Sequence, residues 1–176
     1  MMKNLLDNYY QMVSRVDALC HGIQAVLADQ ITCSEGCSSC CTAITLFPVE
    51  AAALAGALEG LPEAQRTAIL AHVAAHVGGE RCPLLADHRC LLYEARPIIC
   101  RTHGLPIIYS DGDERKGDCC PLNLGEGEQP VSGAAIIDLD RLNTLLVAVN
   151  ALYLSHADAN GLPERLTIAE ALKVKP

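Results

Sequence analysis

The sequence predicts a mostly helical fold: a single small domain over residues 1–176 whose helices bracket an irregular, cysteine-lined metal site, with room for one short β-hairpin. Three observations carry this expectation. Apolar residues recur at helical spacing over long stretches near both ends of the chain. There is no βα alternation and no internal repeat. Ten cysteines, far above ordinary usage, fall mostly in segments rich in Gly, Ser, Pro and Asp that supply little core. With 51 % hydrophobic residues the chain can build a core without covalent staples.

Residues 1–30 read as an N-terminal amphipathic helix. From Lys3 to about Asp29, Leu5, Leu6, Tyr9, Met12, Val13, Val16, Leu19, Cys20, Ile23, Val26 and Leu27 keep the 3.6-residue period. Cys20 lies on that stripe and reads as a small buried hydrophobe. A cysteine-rich loop follows. Pro48 then opens a second helix, PVEAAALAGALEG, with Gly60 as its stop. Pro62 opens a third, PEAQRTAILAHVAAHVGG, ended by Gly78 and Gly79.

Residues 82–93, CPLLADHRCLLY, read as a hairpin or irregular turn around Asp87 and His88. EARPIIC adds at most one helical turn, because Pro97 limits it. Between Arg101 and Gly127 the chain is rich in Gly, Pro and Asp, with a strand at LPIIYS before the Asp111–Gly112 turn. A fourth helix starts near Asp138, with Leu142, Leu145, Leu146, Val149, Leu152 and Tyr153 on one face. In the tail, residues 156–176, Thr167 and Glu170 form a capping-box pattern for a short last helix.

The formal net charge of -8 excludes a nucleic-acid partner that needs a basic face. Phe47, five tyrosines and no tryptophan leave no stacking platform for bases. The opening MMKNLLDNYYQMVSRVDALC has neither an apolar core nor a small-residue cleavage site, which predicts a cytoplasmic protein. No 18-residue apolar run exists, so no membrane-spanning helix is expected. In a reducing compartment, clustered cysteines bind metal or do redox chemistry more often than they form structural disulfides.

Nine cysteines form two blocks: Cys33, Cys37, Cys40 and Cys41, then Cys82, Cys90, Cys100, Cys119 and Cys120. All nine are candidate metal ligands. The stretch CSEGCSSCC crowds four thiols into nine positions, which makes chemical sense only if something binds the sulfurs. Zinc sites typically pair two C-x2-C knuckles, and only Cys37–Cys40 has that spacing. Cys33, Cys37 and Cys40 form C-x3-C-x2-C, which can reach three corners of a cubane, so an iron-sulfur cluster is favoured over zinc. Radical S-adenosylmethionine enzymes share that spacing, but their repeated βα architecture is absent. Adjacent side chains tend to diverge, so Cys40–Cys41 and Cys119–Cys120 serve either two centres or one centre with bystanders.

Arg81, Arg89, Arg96 and Arg101 lie close to second-block cysteines, where guanidinium groups would offset thiolate charge. Arg96, Arg101 and His103 are the expected supporting residues around the sulfurs. His72 and His76, at i and i+4, lack the glutamate of H-E-x-x-H and read as a polar helix face. No Ser/His/Asp or Cys/His arrangement points to a catalytic residue.

CSEGCSSCC, CPLL, HRCLLYEARPIICR and CCP together resemble the YkgJ-like cysteine-cluster family, the CxxCxxCC zinc- or iron-chelating domain, and the likeness spans roughly residues 31–155. The resemblance implies chelation by Cys33, Cys37, Cys40, Cys41, Cys82, Cys90 and Cys100, with Cys119 or Cys120 as a late ligand. It implies no particular activity, although related domains include a flagellin lysine methylase. The expected function is therefore metal binding. The alternatives are a cluster-dependent protein-modifying or thiol redox enzyme, and a zinc-stabilised interaction module. Replacing Cys37 by Ser should remove most bound metal, whereas Cys20→Ser should leave it unchanged; metal analysis of the purified variants checks both.

Overall fold

Helix periodicity and short-range turn chemistry account for most of the architecture. The computed structural model describes residues 5–34, 36–125, 131–156 and 161–175. Among them, in order, lie α1 (Asp7–Val26), β1 (Thr45–Leu46), α2 (Pro48–Glu59), α3 (Glu63–His76), β2 (Leu85–Ala86), β3 (Arg89–Cys90), α4 (Ile98–Thr102), β4 (Ile107–Asp111), β5 (Glu114–Asp118), β6 (Ile137–Asp138), α5 (Leu139–His156), β7 (Leu166–Thr167) and α6 (Ile168–Ala171). Two 3-10 turns, Tyr93–Ala95 and Gly133–Ala135, complete the set. The fold is 49 % helical with several small sheets, so mixed α/β replaces the expected mostly helical class. Five of the strands are only two residues long, too short to show an alternating pattern in sequence.

The chain divides into two compact units. The first comprises Met1–Tyr9, Glu35–Pro97 and Val149–Pro176; the second comprises Tyr10–Ser34 and Ile98–Ala148.

In the first unit α2 is the central element. It is apolar on nearly every side, and Val49, Ala51, Ala52, Ala53, Leu54, Ala55 and Leu58 are all buried. Leu54 and Leu58 join Ile69 and Val73 of α3, Leu84 and Leu92 of the cysteine segment, and Ile168 and Leu172 at α6 in one core. Pro48 opens α2 as expected, and the exposed end of its backbone is satisfied from elsewhere. Asn150 of α5 accepts the Val49 N–H at 3.1 Å, and Glu50 reaches back to the Phe47 N–H at 3.2 Å. The Thr167–Glu170 capping box is present at α6. Thr45↔Thr167 and Leu46↔Leu166 pair antiparallel, joining the start of α2 to the start of α6.

In the second unit α1 buries Met12, Val16, Cys20 and Ile23, with Leu27 buried just beyond its end, whereas Leu19 and Val26 of the expected stripe are exposed. Its expected start at Lys3 lies outside the described residues. Pro97 does not curtail a helix; it precedes α4, where a missing N–H costs nothing. The Asp111–Gly112 turn joins β4 to β5, and β6 adds a parallel strand through Ile107↔Ile137. Arg101 of α4 donates from Nη1 to both oxygens of Asp17 on α1 at 2.8 Å.

Leu54 is 1 % exposed at the centre of the first unit's core. Leu54→Ala should lower unfolding stability by about 2–5 kcal/mol, read from urea denaturation.

Candidate metal centre

Five of the predicted ligands, Cys37, Cys40, Cys41, Cys82 and Cys90, lie in the first unit. Backbone pairing brings their segments together. Ala43 N–H donates to Glu80 O at 2.9 Å and Cys82 N–H to Cys41 O at 3.0 Å, with a bridge between Thr42 and Arg81. Cys41 and Cys82 therefore run side by side. Leu85 N–H then closes a turn onto Cys82 O at 3.0 Å, and the β2–β3 hairpin pairs Leu85 with Cys90. This is the hairpin expected over residues 82–93. Its two-residue turn uses Asp87 and His88, both at positive φ, as a type I′ turn requires. His88 Nδ1 meets Ser38 Oγ at 3.1 Å, which pins the hairpin tip to the cysteine loop.

The loop itself is curled tightly. Cys41 N–H reaches Ser38 O at 3.0 Å and Thr42 N–H reaches Cys40 O at 2.9 Å. Within this curl Cys41 raises the Cys40 thiol, after burial. Arg81 spans the loop, with Nη1 on Ser39 O at 3.1 Å and Nη2 on Ser38 O.

Electrostatics tie the five sulfurs into one set. Burial raises the Cys41 thiol first, and the neighbouring Cys82 raises it next. Burial also dominates at Cys90, where Cys82 and Cys41 push the same way. Cys40 is raised by burial, then by Cys41 and, more weakly, Cys37. Opposing these, the Leu84 N–H donates to the Cys82 sulfur and the Leu92 N–H to the Cys90 sulfur. Arg81 favours thiolate at Cys41 and Cys82, and Arg96 does so at Cys90. Arg96 also lies over the Tyr93 ring at 3.5 Å.

Cys33, Cys100, Cys119 and Cys120 lie in the second unit. Here Asn123, only 3 % exposed, is the hub. Its Oδ1 accepts Thr32 N–H at 2.9 Å; its Nδ2 donates to Gly104 O at 2.7 Å and to Cys33 Sγ at 3.4 Å. Cys119 Sγ donates to the same Gly104 carbonyl at 3.2 Å. Gly104 has φ +91°, and a Cβ there would stand 3.1 Å from Cys33 Sγ and 3.8 Å from Cys120 Cβ. The missing side chain is thus what lets the cysteines approach.

The remaining candidates fall as follows. Arg101 binds Asp17, and His103 is exposed. His72 Nε2 meets Leu85 O at 3.0 Å, His76 Nδ1 meets His72 O at 2.7 Å, and the rings stack at 4.2 Å, as a helix-face role expects. Asn123 and Ser38 were not singled out from sequence; Arg81 was, as one of four arginines close to second-block cysteines, and it also spans the cysteine loop. No three Cys, His, Asp or Glu side chains among the described residues are gathered tightly enough to hold an ion as they stand. The chemistry of the first unit's donors nevertheless fits a thiophilic metal: five sulfurs that feel one another's charge, amide donors on two of them, and two guanidinium groups alongside.

A family model described as "CxxCxxCC: Putative zinc- or iron-chelating domain" matches residues 32–120, just over half of the chain. The match takes in all nine candidate ligand cysteines and leaves out Cys20; it also ends before the α5 helix that the sequence resemblance had included. No curated protein and no solved structure matches the chain.

Cys40, Cys41, Cys82, Cys90 and Cys119 all hold their protons above the ordinary thiol range, burial being the largest cause at each. A group protonated more tightly in the fold than in the unfolded chain contributes stability that is complete below the unfolded pKa and is lost as pH rises through the folded one. Reduced, metal-free protein should therefore weaken as pH climbs above about 8.5. Urea midpoints at neutral and strongly alkaline pH measure this, and equal midpoints would contradict it.

Proposed function

The chain belongs to the CxxCxxCC family of zinc- or iron-chelating domains, and from that membership we propose that Cys41, Cys82 and Cys90, with Cys37 or Cys40, hold a single zinc or iron ion in the first unit. The observation that carries the reading is the pair of amide donors, Leu84 on Cys82 and Leu92 on Cys90. Hydrogen bonds of this kind favour the thiolate, which is the form a metal binds. Arg81 and Arg96 add positive charge beside the same sulfurs, where four thiolates around a divalent ion would leave a net negative charge.

A single ion is preferred here to an iron-sulfur cluster because the coupled sulfurs of the first unit already offer the four thiolates that a tetrahedral ion takes. The Cys33 sulfur accepts from Asn123 in the second unit, whereas Cys37 and Cys40 couple to Cys41. Bound zinc would clamp the loop to the hairpin, and bound iron would add one-electron chemistry. The chain's own part is to curl the loop at Ser38–Cys41, to pair residues 41–43 with 80–82, and to aim two amides at two sulfurs.

Metal and acid-labile sulfide analysis on protein purified without oxygen tests the proposal. Zinc or iron without sulfide, lost on Cys82→Ser with Cys90→Ser, is the expected result. Iron with matching sulfide would replace the single ion by a cluster, and metal retained in that double variant would remove the centre from these residues.

A further inference from the structure

The second unit's cysteines are left unexplained by a centre built from Cys37, Cys40, Cys41, Cys82 and Cys90. We propose that this unit holds a metal site of its own, in which Cys33, Cys119 and Cys120 bind a thiophilic divalent cation such as zinc and Asn123 positions the Cys33 sulfur. The inference rests on the chelation reading above, extended to a different set of residues.

Three chain segments meet at this place, and each is fixed by a hydrogen bond that does not involve metal. Residues 30–33 are tied to residues 122–124 by Leu124 N–H on Gln30 O at 2.9 Å, by Thr32 Oγ1 on Leu122 O at 2.6 Å, and by Thr32 N–H on Asn123 Oδ1. Asn123 N–H closes a turn onto Cys120 O at 2.9 Å, so the asparagine stands three residues after Cys120 with its amide turned back toward the cysteines. Gly104, the third segment, receives both Asn123 Nδ2 and Cys119 Sγ on its carbonyl. The result places Cys33 Sγ and Cys120 Cβ against the face of Gly104 that has no side chain, and the Cys119 thiol on its carbonyl.

Burying an asparagine amide is costly unless its donors and acceptor are all used. Here the acceptor serves Thr32 and the donors serve Gly104 O and a cysteine sulfur. A neutral amide donating to sulfur is the kind of contact that orients a metal-bound thiolate without adding charge. Cys33 is exposed and Cys119 and Cys120 are half-buried, so an ion can reach them from solvent. Three thiolates leave one position of a tetrahedral ion for water or a further ligand.

The test is zinc stoichiometry on the reduced full chain, with cobalt(II) as an optical substitute whose charge-transfer band reports bound thiolates. Wild type should take two equivalents. Cys119→Ser with Cys120→Ser should lose one, Cys82→Ser with Cys90→Ser should lose the other, and Asn123→Ala should weaken the former site while sparing the latter. Differential alkylation of the unaltered protein gives an independent readout: zinc should shield Cys33, Cys119 and Cys120 from iodoacetamide. Two equivalents retained in Cys119→Ser/Cys120→Ser, or no shielding of those three thiols, would overturn the second site. So would loss of all metal in either double variant, since that is the signature of one shared centre. One equivalent in wild type, kept without Cys119 and Cys120 but lost without Cys82 and Cys90, would overturn the second site and leave the chelation reading standing. No metal in wild type would overturn both.

Discussion

In the first unit, ionising Cys40, Cys41 or Cys90 is opposed twice, by withdrawal from water and by the sulfurs around it. Burial is the largest influence on these three and on Cys82. The local devices that work the other way, two amides and the guanidinium groups of Arg81 and Arg96, do not outweigh it, because the net direction at each thiol is still upward. Only a cation in direct contact with sulfur changes that balance, by supplying charge where the repulsion arises. Metal binding and proton release are therefore one event in such a cluster. The donors already in place lower what the metal has to overcome.

That electrostatic constraint explains the backbone around it. A loop of Ser, Gly and Cys has no core to fix its shape, so its position comes from main-chain pairing: residues 41–43 against 80–82, then the hairpin that returns Cys90 beside Leu85. The hairpin turn places two residues other than glycine at positive φ, which costs about 1–2 kcal/mol per residue for ordinary side chains and less for Asp and His. His88 offsets part of this through its contact with Ser38. Arg81 connects the two levels. Its guanidinium holds the Ser38 and Ser39 carbonyls, and its charge acts on Cys41 and Cys82. A lysine there carries its three donors on one nitrogen and cannot hold two carbonyls in the same fixed fork.

The long helices were legible because apolar residues recur at helical spacing, although Leu145 and Leu152 of the face expected on α5 are exposed, and Thr167 with Glu170 announces a cap. The hairpin at Asp87–His88 was legible from turn chemistry, as was the strand before Asp111–Gly112. The β1–β7 and β4–β6 pairings were not, since two-residue strands have no period and their partners lie far along the chain. Residue type alone pointed to the cysteines as ligand candidates, but it could not group them. Asn123 was hidden for the same reason. An asparagine after CCPL reads as a turn residue until Thr32, 91 positions away, is found bound to it.

Cys33 shows most clearly how spacing and grouping part company. It precedes Cys37 by four positions, and as a string C-x3-C-x2-C offers three thiols to one cofactor. Spacing sets the bite of a ligand set only when one turn of backbone holds all its members. Here the turn closed by Cys41 N–H on Ser38 O holds the later cysteines, while Thr32 and Asn123 hold the segment that carries Cys33. The two anchors belong to different compact units, with the division falling between Ser34 and Glu35. Glycine at 104 also bears on Cys33, because a Cβ there would stand 3.1 Å from its sulfur. On the two-site reading proposed above, the tight run of cysteines contributes to two sets of sulfurs, each organised by hydrogen bonds from its own part of the chain.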